Sequence, residues 1–231
     1  MINKENSGSH RLKSFQKEIV LRNVNFSYDS RQVLFDINMI IPKNKTIAIV
    51  GESGAGKTTL FDILTGLVTP QSGTVSIDGI DYRDLSLPNL RHMIGYITQE
   101  PVIFNDTITN NISFWGADLQ GSEYRKRIKN AAALAHCTEF IEETLRKYET
   151  VIGDKGIKLS VGQRQRIAIA RELFKDPVIM IFDEATSALD TESEKLIQQS
   201  INSMMGKRTM VIIAHRLSTV KNCDYIYVLY K

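Results

Sequence analysis

The sequence has little of what marks a secreted, membrane-spanning or metal-built protein. Its two cysteines, Cys137 and Cys223, lie far apart and outside any C-x-x-C pattern, which argues against a disulfide framework or a zinc site and for a reducing compartment. No apolar run approaches the roughly 18 to 20 residues needed to cross a bilayer. The longest, such as Val178 to Phe182 and Met210 to Ala214, are strand-sized. Charge is nearly balanced: 29 Lys and Arg against 26 Asp and Glu give a net +3, so no strong field draws nucleic acid, and no nucleic-acid partner is expected. The one basic cluster, Arg125, Lys126, Arg127 and Lys129, has no interleaved aromatic residues and reads as a solvated helix face. Residues 1–17 are polar, lack the apolar core of a signal peptide, and are expected as a disordered lead-in or linker. A length of 231 residues suits one large domain or two lobes sharing a site.

Against this background one stretch stands out. Gly51-Glu52-Ser53-Gly54-Ala55-Gly56-Lys57-Thr58 fits G-x-x-x-x-G-K-[ST] and follows the apolar strand candidate Thr46 to Val50. Glycines there let backbone N–H groups converge on phosphate oxygens, and Lys57 adds a positive charge for the β and γ phosphates. Thr58 offers a hydroxyl to Mg²⁺, and a helix from Lys57 to Leu64, with Thr59 in its first turn, starts under the phosphates. The pattern implies nucleotide binding.

The rest of the chain reads as strands and helices placed around that loop. Ile19, Leu21, Val24 and Phe26 alternate as a strand with one slip, the turn Tyr28-Asp29-Ser30 follows, and Val33 to Ile41 returns, giving an N-terminal antiparallel β lobe. Tyr28 at that strand end is a candidate adenine platform or ordinary edge packing. Gly73 to Ile77 is a strand with the turn Asp78-Gly79, and Ile94 to Thr98 is another, delivering Gln99 as a candidate Mg²⁺ ligand or a surface amide. The region 107–135 is read as helical, with Ile108, Ile112 and Trp115 on the helical repeat, a Gly-rich break at Gly116 to Gly121, and Ser122 as the cap of a helix to Ala135. His92 and His136 have no second ligand at metal spacing and read as structural.

Leu159 to Gln163 then opens a helix through Phe174 that is expected to bury Ile167, Ala170, Leu173 and Phe174 and to turn Arg164, Gln165 and Glu172 outward. Its start, with Ser160, Gly162 and Gln163, forms a second anion site far in sequence from the first. Val178 to Phe182 is continuous and apolar, the mark of a central parallel strand, and ends in Asp183-Glu184. Asp183 is the candidate partner of Mg²⁺ through water, and Glu184 the candidate base for a water attacking the γ-phosphate; a plain helix-capping acid pair is the alternative. Thr209 to Ala214 delivers His215 to the same edge, as a γ-phosphate donor or a satisfied structural histidine, and Tyr225 to Tyr230 is a last strand.

Taken together, these residues resemble the nucleotide-binding domain of an ATP-binding cassette exporter, over nearly the whole of 18–231. The phosphate loop resembles Walker A, Gln99 the Q-loop, Leu159 to Gln163 the signature, Ile179 to Glu184 Walker B, Ser187 to Asp190 the D-loop and His215 the switch histidine. Pro101 to Ile108 with Asn111-Ile112, and Gly153 to Gly156, are similar to exporter segments that meet transmembrane coupling helices. The resemblance implies an α/β fold with a P-loop NTPase core on a mostly parallel sheet, the antiparallel β lobe, and a helical insertion of about residues 100–175. It also implies ATP and Mg²⁺ as ligands and catalysis by Glu184, His215 and Gln99. Ser160, Gly162 and Gln163 would act in trans in a head-to-tail pair with a second nucleotide-binding domain, identical or not. Transmembrane domains, fused upstream, are the implied further partner, at the cytoplasmic face of a membrane, the inner one in a bacterium. Relatives usually continue past Lys231, so the C-terminal end is expected to be truncated.

One residue departs from the pattern: Val161 stands where glycine is usual, and a β-branched residue resists positive φ. A non-hydrolysing regulatory module and a soluble ATPase of the same family are the competing readings. Retained Glu184 and His215 count against the first, and the exporter segments against the second.

Overall fold

The computed structural model describes residues 8–116, 121–183, 189–213 and 220–230. Its strands form an antiparallel sheet in the order β2-β1-β4-β5 and a five-stranded sheet in the order β6-β7-β8-β3-β9. The chain divides into two compact units: residues 1–94, 178–181 and 205–231, and residues 95–177 with 182–204.

In the first unit β1 (Glu18–Tyr28) and β2 (Arg31–Pro42) form a hairpin that closes through Asp29-Ser30, and β4 (Ser72–Ile77) pairs on the other side of β1. The slip in the β1 pattern is a bulge between Leu21 and Val24, where Asn23 takes φ 48°. Side chains replace the backbone bonds lost there: Asn23 donates to the Asp36 carboxylate at 2.7 Å, and the Asp36 N–H donates to Asn25 Oδ1 at 2.9 Å. The β4 turn to β5 (Ile80–Asp81) is Asp78-Gly79, with φ of 52° and 84°. Asp78 also accepts from the backbone N–H groups of Gln16, Lys17 and Glu18. Residues 8–17 are therefore fastened rather than loose. Leu12 N–H donates to Asn89 Oδ1, and Phe15 is only 2% exposed. Two apolar residues in a polar stretch gave too little periodicity to show it.

The buried strands of this unit are β3 (Thr46–Gly51) and β8 (Thr209–Ile213), paired in parallel, with β9 (Tyr225–Leu229) parallel on the other side of β3. Ile47, Ala48 and Ile49 are fully buried, as are all five residues of β8, which is why both runs are continuously apolar. Helix α1 (Lys57–Leu64) follows β3 and buries Leu60, Phe61, Ile63 and Leu64; α2 (Leu87–Met93) is short and carries Pro88 in its first turn.

The second unit is mainly helical. It holds most of β6 (Ile94–Ile97), the end of β7 (Ile179–Asp183), and helices α3 (Ile108–Ser113), α4 (Ser122–Leu134), α5 (Thr138–Glu142), α6 (Val161–Lys175) and α7 (Thr191–Met204). Thr107 caps α3 by accepting from Asn110 N–H. Trp115 lies past the end of α3 at φ 53°, not on a continuing helix, and Ser122 is the first residue of α4, whose cap is Gly121 at φ 101°. The loop glycine at 121 supplies a backbone conformation that serine resists.

Helix α6 is the centre of this unit and is buried nearly all round. Arg166 donates to the His136 carbonyl at 2.6 Å, and Arg171 donates to the carbonyls of Asn111 and Val102, each at 2.7 Å. Gln165 and Glu172, expected to face solvent, are buried: Gln165 binds a backbone carbonyl, and Glu172 accepts from Lys175 at 2.9 Å. Partners at hand, from other segments for Gln165, Arg166 and Arg171 and from α6 itself for Glu172, and not period alone, decide the faces of this helix.

Candidate functional site

In the first unit the phosphate loop is shaped by close packing. A Cβ at Gly51 would lie 2.5 Å from the Leu229 carbonyl oxygen of β9, and one at Gly56 would lie 2.7 Å from Leu34 Cδ2. Gly56 also has φ 89°, so both geometry and space require glycine. Glu52, Ser53 and Gly54 are exposed, Gly54 at φ 79°, while Ala55 is buried and its N–H closes the loop on Glu52 O at 3.2 Å.

Gly56 is the N-cap of α1 and provides no side-chain acceptor. The first helical bond runs from Leu60 N–H to Gly56 O, so the N–H groups of Lys57, Thr58 and Thr59 precede the bonded part of the helix. Lys57 is 6% exposed, and its ammonium donates to the carbonyls of Gly51 (2.8 Å) and Glu52 (2.9 Å). An ammonium has three donors, so one remains for a phosphate oxygen with the lysine already in place. Thr58 is exposed and Thr59 buried. Tyr28, at the end of β1 in the same unit, packs its edge on Phe26 with centroids 4.9 Å apart and is 47% exposed, so it does edge packing and still presents surface.

The second unit holds the remaining described candidates. Asp183 ends β7 and accepts from the Tyr96 hydroxyl at 3.3 Å, a contact that β6 supplies and that sequence reasoning missed. Gln99 is exposed just beyond β6. Ser160 caps α6 in a reciprocal box: its Oγ accepts from Gln163 N–H at 3.1 Å, and its N–H donates to Gln163 Oε1 at 3.0 Å. The Ser160 hydroxyl keeps its proton for an outward acceptor. Val161 occupies the first helical position, 45% exposed and with no positive φ, so the valine is unstrained here. Gly162 is required by α7, since a Cβ would meet Ser193 Oγ at 2.2 Å and Ser193 Cβ at 2.4 Å. Asp190 caps α7 through Ser193 N–H at 2.9 Å, and that bond, then the Ser193 hydroxyl, holds its carboxyl below the usual range. Glu184, Ser187, Ala188 and His215 lie outside the described residues.

The residues present fit both implied ligands. The glycine-lined, lysine-closed loop suits a polyphosphate. Thr58, Gln99 and Asp183 are hard oxygen donors. Donors of that kind suit Mg²⁺, which takes one or two protein groups alongside phosphates and water.

A strand, a glycine-rich loop and a helix of this geometry on a parallel sheet define a P-loop nucleotide-binding domain. The family model described as ABC transporter matches residues 34–187. Over 220 residues the chain is 47% identical to the mouse (Mus musculus) ATP-binding cassette sub-family B member 10, mitochondrial, covering 94% of this chain and 31% of that protein. It is 46% identical over 220 residues to the ATP-dependent lipid A-core flippase of Desulfotalea psychrophila, covering 95% of this chain and 38% of that protein. The solved structure of a bacterial Atm1-family ABC exporter with ATP bound superposes with a TM-score of 0.86 at 38% identity, covering 95% of this chain and 38% of that one. The chain belongs to the ABC transporter family, as an ATPase nucleotide-binding domain of the exporter type. It spans about a third of the length of these relatives. Among the described residues no helix is long and apolar enough to cross a membrane.

Proposed function

We propose that this domain closes head to tail on a second nucleotide-binding domain around ATP, and that closure drives export by a full-length transporter whose membrane domains are fused upstream, at the cytoplasmic face of the membrane. The observation that carries this reading is the start of α6, where an exposed, box-capped Ser160 has a hydroxyl proton to donate and first-turn N–H groups beside it. Such a donor set, separate in sequence from the phosphate loop, suits the γ-phosphate of a nucleotide held by another copy. The share of each relative that the chain covers supports the fused membrane domains, as does the name of the ATP-dependent flippase.

Within the pair, Lys57 and the loop N–H groups from Gly51 to Thr59 hold the phosphates, Tyr28 stacks on the adenine, and Ser160, Gly162 and Gln163 complete the site from the partner. Thr58, Gln99 and, through water, Asp183 would hold Mg²⁺, which when bound neutralises charge on the phosphate oxygens. Glu184 orients and deprotonates the attacking water, and His215 donates to the γ-phosphate.

Sedimentation of Glu184→Gln with and without MgATP tests the reading. A dimer formed only with MgATP, together with wild-type phosphate release that rises faster than linearly with protein, is the expected result. A variant that binds ATP as a monomer at every concentration, or one that still turns over at the wild-type rate, sinks it.

A further inference from the structure

A side-chain amide buried in a helix has no water to bind and must find its partner in the protein. Gln165, the fifth residue of α6, is 1% exposed, and its Nε2 donates to the Thr98 carbonyl at 3.0 Å. Thr98 immediately precedes Gln99. The Thr98 hydroxyl in turn donates to the Glu100 carbonyl at 3.0 Å, closing a tight turn over Gln99. The segment carrying Gln99 is thus tied down twice, once to itself and once to α6. That same helix begins at the box-capped Ser160, and its first turn is seated against Ser193 of α7 by Gly162. One rigid element therefore carries the Ser160 anion site at its end and holds the backbone of the Gln99 turn from its side.

We propose that Gln165 is a positioning residue for Gln99: its amide fixes the Thr98 peptide, so that the place of the Gln99 side chain follows the place of α6. The inference rests on the reading of Gln99 as a Mg²⁺ ligand. Movement of α6 when Ser160 engages a nucleotide would be felt at the cation through this bond. Methionine at 165 matches the length and volume of glutamine and removes the donor to the Thr98 carbonyl.

The test is binding of a fluorescent ATP analogue to the chain as Mg²⁺ is titrated, and again in EDTA, for wild type, Gln165→Met and Gln99→Ala. The expected result for Gln165→Met is a rise of about tenfold in half-saturating Mg²⁺. Affinity in EDTA should stay at the wild-type value, and amide exchange should quicken across 98–100 but not in α1. Thr98→Val, at an exposed position where folding is not at stake, loosens the same turn from its other side and is expected to shift Mg²⁺ in the same direction by a smaller factor. If Gln99→Ala raises half-saturating Mg²⁺ while Gln165→Met and Thr98→Val do not, the positioning role is refuted and the reading of Gln99 stands. If Gln99→Ala leaves Mg²⁺ dependence unchanged, the ligand reading falls and takes the inference with it. If Gln165→Met weakens binding equally in EDTA, the residue is merely structural and the inference is overturned.

Discussion

Gly162→Ala isolates what the signature glycine does for the fold. The added Cβ would come within 2.4 Å of Ser193 Cβ and 2.2 Å of its Oγ. The hydroxyl can rotate aside, but the Cβ belongs to the buried face of α7 and moves only if the helices separate. Overpacking of this kind costs about 1–3 kcal/mol. Alanine recovers up to ~1 kcal/mol of helix propensity over glycine, less in a first turn. A net loss of about 1–2 kcal/mol lowers Tm by about 2–8 °C in a domain of this size. Thermal and urea unfolding of Gly162→Ala, Ser193→Gly and the double variant give the assay. Removing both Ser193 atoms relieves the clash, so the double variant should recover about 1 kcal/mol relative to additivity. A Tm for Gly162→Ala at or above wild type, or strictly additive changes, would refute the packing argument and leave only a ligand role for this glycine.

Two other outcomes follow from the same structure. Val161→Gly should leave steady-state phosphate release within about twofold of wild type and lower stability by no more than ~1 kcal/mol, because Val161 is exposed and helical; a rate several-fold higher would show that valine impairs the site. The Asp224 carboxyl is held below its usual range, first by Lys45 at 2.8 Å and then by Thr46 N–H at 2.8 Å. Since the folded value lies below the unfolded one, about 3.9, this contribution is complete above that pH and is lost as pH falls through the folded value. The Tm gap between wild type and Asp224→Asn should therefore narrow between about pH 5 and pH 2; a constant gap would refute the linkage.

Where local chemistry dictates structure, the sequence was readable. The helix expected from Lys57 to Leu64 is α1 residue for residue, and the apolar runs at Thr46, Val178 and Thr209 became β3, β7 and β8 to within a residue or two. The slip at Asn23 was visible as broken alternation, but its repair by Asn25 and Asp36 was not, because both lie in register only after folding. Helix α6 resisted for a similar reason. Gln165, Arg166 and Arg171 look solvent-facing by type, yet each is satisfied by a carbonyl from a distant segment, and carbonyls leave no trace in a sequence. Tyr96 gives no sign of its place beside Asp183, since nothing in a four-residue strand marks a hydroxyl as a partner. The spacing of the loop glycines speaks for phosphate but not for protein, and two of them make room for protein as well: Leu229 at Gly51 and Leu34 at Gly56.

The lysine of the phosphate loop has a resting place. With its ammonium on the carbonyls of Gly51 and Glu52, Lys57 need not search rotamers when a nucleotide arrives, and it is not stranded as a bare buried charge when one departs. The same two carbonyls compensate the ammonium whether or not a phosphate takes its third donor. An ATPase has to empty its site as reliably as it fills it, and a lysine parked on the loop's own backbone is as ready for the empty site as for the full one.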